Sequence, residues 1–219
     1  MLQPGMPTFE RILERARALT SASANWEPAK SVGDVKTFSM KPLGGRGPRW
    51  WARVSEHTGK NGGNAFDQLW NVVASEDRYT QEKEYNPDLT SATSLKAVQW
   101  GEVWSLHYTF PPPISPRTVI LLSTTHLETI NPRVGWVISI PFDIGENDMP
   151  LSLFVEAGVK SNVISVDRFR ELEDGKVEWL AASSTSPGGS IPLWLSEYYA
   201  VKRITAVRFS STPISNDFT

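Results

Sequence analysis

The sequence predicts an α+β protein built from an antiparallel β-sheet and a long C-terminal α-helix. Three observations point there. The middle and later parts of the chain hold about six segments rich in β-branched and aromatic residues, separated by turn residues. The stretch 190–209 carries apolar residues at helical spacing. Aromatic residues are abundant, with nine Trp, nine Phe and five Tyr among 219 residues.

Phe9, Ile12, Leu13, Ala16 and Leu19 form one stripe of an amphipathic helix that should end near Ser23, with Thr8 as its N-cap. Residues 35–40 and 50–58 read as a hairpin around the turn Gly44-Gly45-Arg46-Gly47-Pro48. Asn64 caps a second helix, with Phe66, Leu69, Trp70 and Val73 at helical spacing. The charged stretch 76–85 reads as a short, mostly exposed helix that stops before Pro87.

Residues 94–100 and 102–110 are two strands joined around Gly101, and Pro111-Pro112-Pro113 ends that pattern because proline cannot donate to a ladder. Strands at 118–126 and 134–142, a loop at 145–150, and strands at about 159–172 and 176–184 follow, the last two joined by Glu173-Asp174-Gly175. The final helix starts after Pro187-Gly188-Gly189. At about 100° per residue, Ile191, Trp194, Leu195, Tyr198, Tyr199, Val201, Thr205, Ala206 and Phe209 share a broad face. Lys202 sits within that apolar arc, one turn after Tyr198. No repeat interrupts the chain, so residues 1–219 are expected to form one domain with its core at about 8–210.

Composition excludes several functions. The 22 Lys+Arg and 24 Asp+Glu leave a net charge of −2, which gives no general attraction to nucleic acid. The absence of Cys removes disulfides, thiolate catalysis and zinc–thiolate sites. His57, His107 and His126 are far apart and form no metal-binding pair, so no metal is expected. The glycines at 44, 45 and 47 precede a strand rather than a helix, which argues against a dinucleotide loop, and no cofactor is expected. No signal peptide or spanning segment is evident, which leads us to expect a cytoplasmic protein without integral membrane association. The sequence says nothing of oligomeric state.

Two motifs carry a family resemblance. Pro113-Ile114-Ser115-Pro116-Arg117, leading into the strand at 118, resembles the P-x-S-P-R lead-in to a central strand of START (lipid-transfer) domains. Pro187-Gly188-Gly189-Ser190-Ile191-Pro192, followed by a Trp-bearing helix, resembles the G-G-x-x-P start of the START C-terminal helix. The element order from Phe9 to Phe209 agrees, and more narrowly the chain resembles the fungal START-like family of unknown function. The resemblance implies a helix-grip (START-like) fold, a curved antiparallel β-sheet wrapped around the long C-terminal α-helix, whose internal cavity holds a lipid or another hydrophobic small molecule. It brings no catalytic residues with it.

Trp104, Leu106 and Tyr108 alternate along one strand and share a face, while Trp136 and Ile138, and separately Trp179, hold similar strand positions. Each either fills an ordinary core or lines a ligand cavity, with Ile191, Trp194, Leu195, Tyr198, Val201 and Lys202 as the facing wall. Lys202 either snorkels to the rim or offers a donor to the pocket. Arg117 is expected to hold its loop through hydrogen bonds rather than recognise a ligand. Asp167 and Glu178 are expected to be solvated or paired with Arg168 or Arg170. His107 falls on the strand face opposite Trp104 and Tyr108.

Two functions fit these residues. The first is a carrier or binding protein for a lipid, sterol or polyketide- or terpenoid-like metabolite. The alternative is a cofactor-independent cyclase of secondary metabolism, in which the cavity orients an apolar substrate and Tyr108, Lys202 or Arg117 polarises a carbonyl.

Overall fold

The computed structural model describes residues 6–31, 33–42 and 47–191. Helix α1 (Phe9–Ala22) begins where the Thr8 side chain accepts a hydrogen bond from the Arg11 amide, and it buries Ile12, Leu13 and Ala16 as the periodicity predicts. A 3-10 turn (Ser23–Asn25) leads into a two-residue strand, β1 (Glu27–Pro28), which is too short for sequence periodicity to register. Strands β2 (Lys36–Met40) and β3 (Trp50–His57) form the predicted hairpin. Helix α2 (Ala65–Val73) is capped by Asn64, whose side chain accepts from the Asp67 amide at 3.1 Å. Helix α3 (Arg78–Tyr85) ends before Pro87 and is largely exposed as expected, except that Tyr79 in its first turn is buried.

Six strands follow: β4 (Leu89–Val98), β5 (Gly101–Tyr108), β6 (Arg117–Glu128), β7 (Val134–Pro141), β8 (Val159–Glu171) and β9 (Val177–Ser186). β4 starts five residues earlier than expected from sequence, at Leu89. It lies at the sheet edge, and its first half is rich in Ser and Thr with two register shifts, so no clean alternation marks it. The stretch expected to be a loop at 145–150 is a 3-10 segment, Glu146–Phe154, that accommodates Pro150.

The nine strands make one sheet in the order β1-β2-β3-β9-β8-β7-β6-β5-β4. Sequential neighbours pair antiparallel; in addition β6 pairs parallel with β8 where Arg117, Thr118 and Val119 meet Val159, Lys160 and Ser161. This is the curved antiparallel sheet of the expected α+β class. The long helix expected at 190–209 lies outside the described residues beyond Ile191.

Helices cover opposite faces of the sheet. On one face, Ile12, Leu13 and Ala16 of α1 pack on Trp136, Ile138 and Val166. On the other, Phe66, Leu69 and Val73 of α2 pack on Val137, Phe169, Val177 and Trp179. Gly135 allows this approach, since a Cβ there would collide with the Trp70 ring. Tyr79 of α3 joins the same side, packed with Trp104, Leu106, Tyr108, Val119 and Leu121.

Candidate functional site

Strand register sorts every candidate onto one of these two faces, because residues directly opposite in an antiparallel pair point the same way. Trp104, Leu106 and Tyr108 of β5 stand opposite Leu121, Val119 and Arg117 of β6, on the α2–α3 face. With Leu89 and Tyr79 they form an apolar wall over β4, β5 and β6. Trp179 shares this face but belongs to the cluster beneath α2, four strands away from β5.

Trp136 and Ile138 correct the sequence expectation. Their residue types suit a cavity wall, but register turns them to the α1 face, where they form core with Ile12, Leu13 and Ala16. The Trp136 indole N–H donates to Glu128 Oε1 at 2.8 Å, and Arg17 binds the same oxygen. Trp26, Trp50 and Trp100 also pack on this side, so half of the described tryptophans serve ordinary core. Ile191 is the last described residue and is half-buried. Trp194, Leu195, Tyr198, Val201 and Lys202 lie outside the described residues.

Arg117 binds loops. Its Nε donates to the Pro187 carbonyl at 2.8 Å, and its Nη1 donates to the Ser115 and Pro116 carbonyls. The two motifs behind the family resemblance are thereby joined. His107 is turned away from Trp104, as expected, with its Nδ1 3.0 Å from Thr118 Oγ1. Glu178 pairs with Arg168 and Arg170. Asp167 does not: it faces inward under α3, where Oδ2 accepts from Arg78 Nη2 at 3.1 Å and Oδ1 from the Trp179 indole at 2.9 Å.

Sequence reasoning left out the groups around Asp167. Thr37, Arg53, Ala181, Asp167, Val137 and Thr125 form one cross-strand row over β2, β3, β9, β8, β7 and β6. Arg53 is 2% exposed, and its guanidinium carbon lies 3.9 Å from the centre of the Trp179 ring. Burial is the main cause that pulls its pKa down to about 10, against the opposing attraction of Asp167, so it remains a cation at neutral pH. Burial likewise acts to lower the Arg78 pKa, but Tyr79, Asp167 and Glu82 outweigh it and the net direction is upward. Burial, then the Arg53 charge, lowers the pKa of His57, whose Nε2 lies 2.9 Å from Ser55 Oγ. The alternation Trp51, Arg53, Ser55, His57 against Trp50, Ala52, Val54 was the available signal for this face. Nothing in the sequence marked Arg78, which occupies a short charged helix.

The next row along the strands is lined with hydroxyls. Ser183, Ser165, Ser139 and Ser123 face one another across four adjacent strands, β9, β8, β7 and β6, and Trp51 and Ser39 continue the row outward. Tyr79 closes over it, its hydroxyl 2.8 Å from Ser139 Oγ. Serine side chains are short, so such a row lies low on the sheet between the taller Arg53–Asp167 row and the apolar wall of Leu106 and Val119. The α2–α3 face is therefore mixed: a charged and hydroxyl-bearing band crosses β3, β9, β8, β7 and β6, between the apolar cluster beneath α2 and the apolar wall of β4, β5 and β6. Among the described residues no group of three or more His, Asp or Glu is placed to hold a metal ion, and no helix is long and apolar enough to cross a membrane.

This architecture is the START-like, helix-grip one. Human StAR-related lipid transfer protein 5 superposes with a TM-score of 0.70 at 12% identity, over 90% of this chain and 88% of that one. The lipid transfer and protein localization domain of human StarD13 gives 0.62 at 14% identity, over 91% and 94%. A fragment of the STAR-related lipid transfer protein from Xanthomonas axonopodis gives 0.57 at 20% identity, over 81% and 90%. The chain belongs to the family described as "Protein of unknown function (DUF3074)", whose profile matches residues 50–206. No curated protein matches its sequence.

Proposed function

We propose that the protein binds a hydrophobic small molecule on the α2–α3 face of its sheet and acts as a carrier or binding protein. The observation that carries this reading is the mixed face itself. An ordinary core would have no use for four aligned serines beside Trp104, Leu106 and Tyr108, whereas a ligand site combines apolar walls with a few placed polar groups. The structural relatives named as lipid transfer proteins support the same reading. Apolar burial drives such binding, at about 25 cal/mol per Å² before the entropy of association is charged. The proposal takes residues 1–219 as one domain and keeps Trp194, Leu195, Tyr198, Val201 and Lys202 as ligand contacts.

Native mass spectrometry of the purified protein, with organic extraction and identification of what is released, tests it. A lipid, sterol or terpenoid in stoichiometric amount supports the carrier. A cyclised product formed from an added linear precursor would make the protein a cyclase instead. An empty protein that takes up no fluorescent apolar probe would overturn the proposal.

A further inference from the structure

Arg78, a partly buried residue of α3, carries an unpaired donor on this face. Its Nη2 is satisfied by Asp167, but its Nη1 is out of contact with solvent and finds no hydrogen-bond partner among the described residues. A buried guanidinium donor left open costs about 1–3 kcal/mol or more, so it needs an acceptor. Arg53 and Arg78 are both cations and both act on Asp167, whose two oxygens are already taken by Arg78 and Trp179. Glu82, one turn along α3, is half-buried and accepts from Asn86 at 2.8 Å. Glu82 also acts electrostatically on Arg78, but neither it nor Asp167 is bonded to Nη1.

Resting on the reading of this face as a site for a hydrophobic molecule, we infer that the molecule carries a single anionic group, a carboxylate in chemical class, that accepts from Arg78 Nη1 beside Arg53. The open Nη1 donor needs an acceptor, and a planar carboxylate matches a guanidinium edge better than a neutral oxygen does. The serines at 183, 165, 139 and 123 then lie along the path from the charged row to the apolar wall at Trp104 and Leu106, where the chain of an amphiphile is buried. A fatty acid or a terpenoid or polyketide acid has this form; a neutral sterol or wax ester does not.

The test compares three probes of matched chain length, palmitate, methyl palmitate and 1-hexadecanol, by displacement of a fluorescent apolar reporter. The native protein should prefer palmitate over its methyl ester by at least about tenfold, the effect of one charge-assisted hydrogen bond. Arg78→Gln keeps a donor for Asp167 but removes the charge, and should abolish that preference by weakening palmitate binding far more than methyl palmitate binding. Arg78→Lys keeps the charge and should retain most of the preference. Thermal melting of each variant confirms folding, and Arg53→Gln, which leaves the Arg78–Asp167 pair intact, should lower the preference in the same direction if Arg78→Gln does not fold. Equal binding of all three probes, or a preference that survives both glutamine variants, overturns the anionic subsite and leaves the hydrophobic-molecule reading in place. Uptake of none of the three overturns both.

Discussion

Arg117 donates from Nε to the carbonyl oxygen of Pro187 at 2.8 Å, across 70 residues of sequence. The contact seats the lead-in to β6 against the segment that leaves β9. One buried guanidinium thus sets the geometry at the end of the sheet where β6 and β8 run side by side.

Replacing Arg117 by Met should lower stability by about 2–4 kcal/mol, because the Pro187 and Ser115 carbonyls both lose a charged donor. Lysine should not rescue it: a single ammonium cannot reproduce the separate directions of Nε and Nη1. Urea midpoints with an unchanged slope are the measurement, and a loss below 1 kcal/mol would return Arg117 to a minor role.

Gly188 and Gly175 separate steric collision from backbone strain. Both have positive φ, +65° and +77°, but a Cβ on Gly188 would run into the Lys160 carbonyl oxygen, whereas one on Gly175 meets nothing within 4 Å. Gly175→Ala should cost about 1 kcal/mol, the left-handed penalty alone. Gly188→Ala should cost clearly more, read from paired thermal melts.

Trp104 and Trp136 test which face holds the ligand. Trp136→Phe removes the indole hydrogen bond to Glu128 and should reduce stability by about 1–2 kcal/mol without changing apolar-probe affinity. Trp104→Phe should weaken probe binding several-fold, since that ring belongs to the apolar wall with Leu106 and Tyr108. The opposite pattern would place the ligand under α1.

Acid should loosen the clamp at Arg133. Its guanidinium binds Glu171 through Nε and Nη2 and Asp67 through Nη1, tying β8 to the start of α2. Hydrogen bonding from Arg133 is the main cause that depresses the Glu171 pKa from 4.5 to about 2. The native carboxyl therefore holds its proton less tightly than the unfolded one. Its stabilisation is complete above the unfolded value of 4.5 and disappears as pH falls towards 2. Glu171→Gln should be less stable than the native protein at pH 7 and should lose less stability between pH 5 and pH 3, both seen in denaturation midpoints. Parallel pH profiles for the two proteins would rule out the linkage.

The elements were largely legible because their signals are local. The spacing of Phe9, Ile12, Leu13 and Ala16 makes α1, the Asn64 cap starts α2, and the runs of β-branched residues mark β6 to β9. The alternation of Trp104, Leu106 and Tyr108 also placed them on one face, opposite His107. β4 was blurred because an edge strand rich in Ser and Thr with two register shifts has no clean period.

By itself the sequence determined that an antiparallel sheet with apolar helices would form, and which residues within each strand point together. Only the tertiary structure decided what each face meets. Trp136 and Trp104 have the same residue type and similar strand surroundings, but α1 covers one and α3 approaches the other. Which helix lies on which face is set by chain connections spanning tens of residues, and strand periodicity carries no information about them. The same holds for charge. Arg78 reads as a solvated residue in a short polar helix until the fold brings it to Asp167, 89 residues away, and desolvation makes each depend on the other.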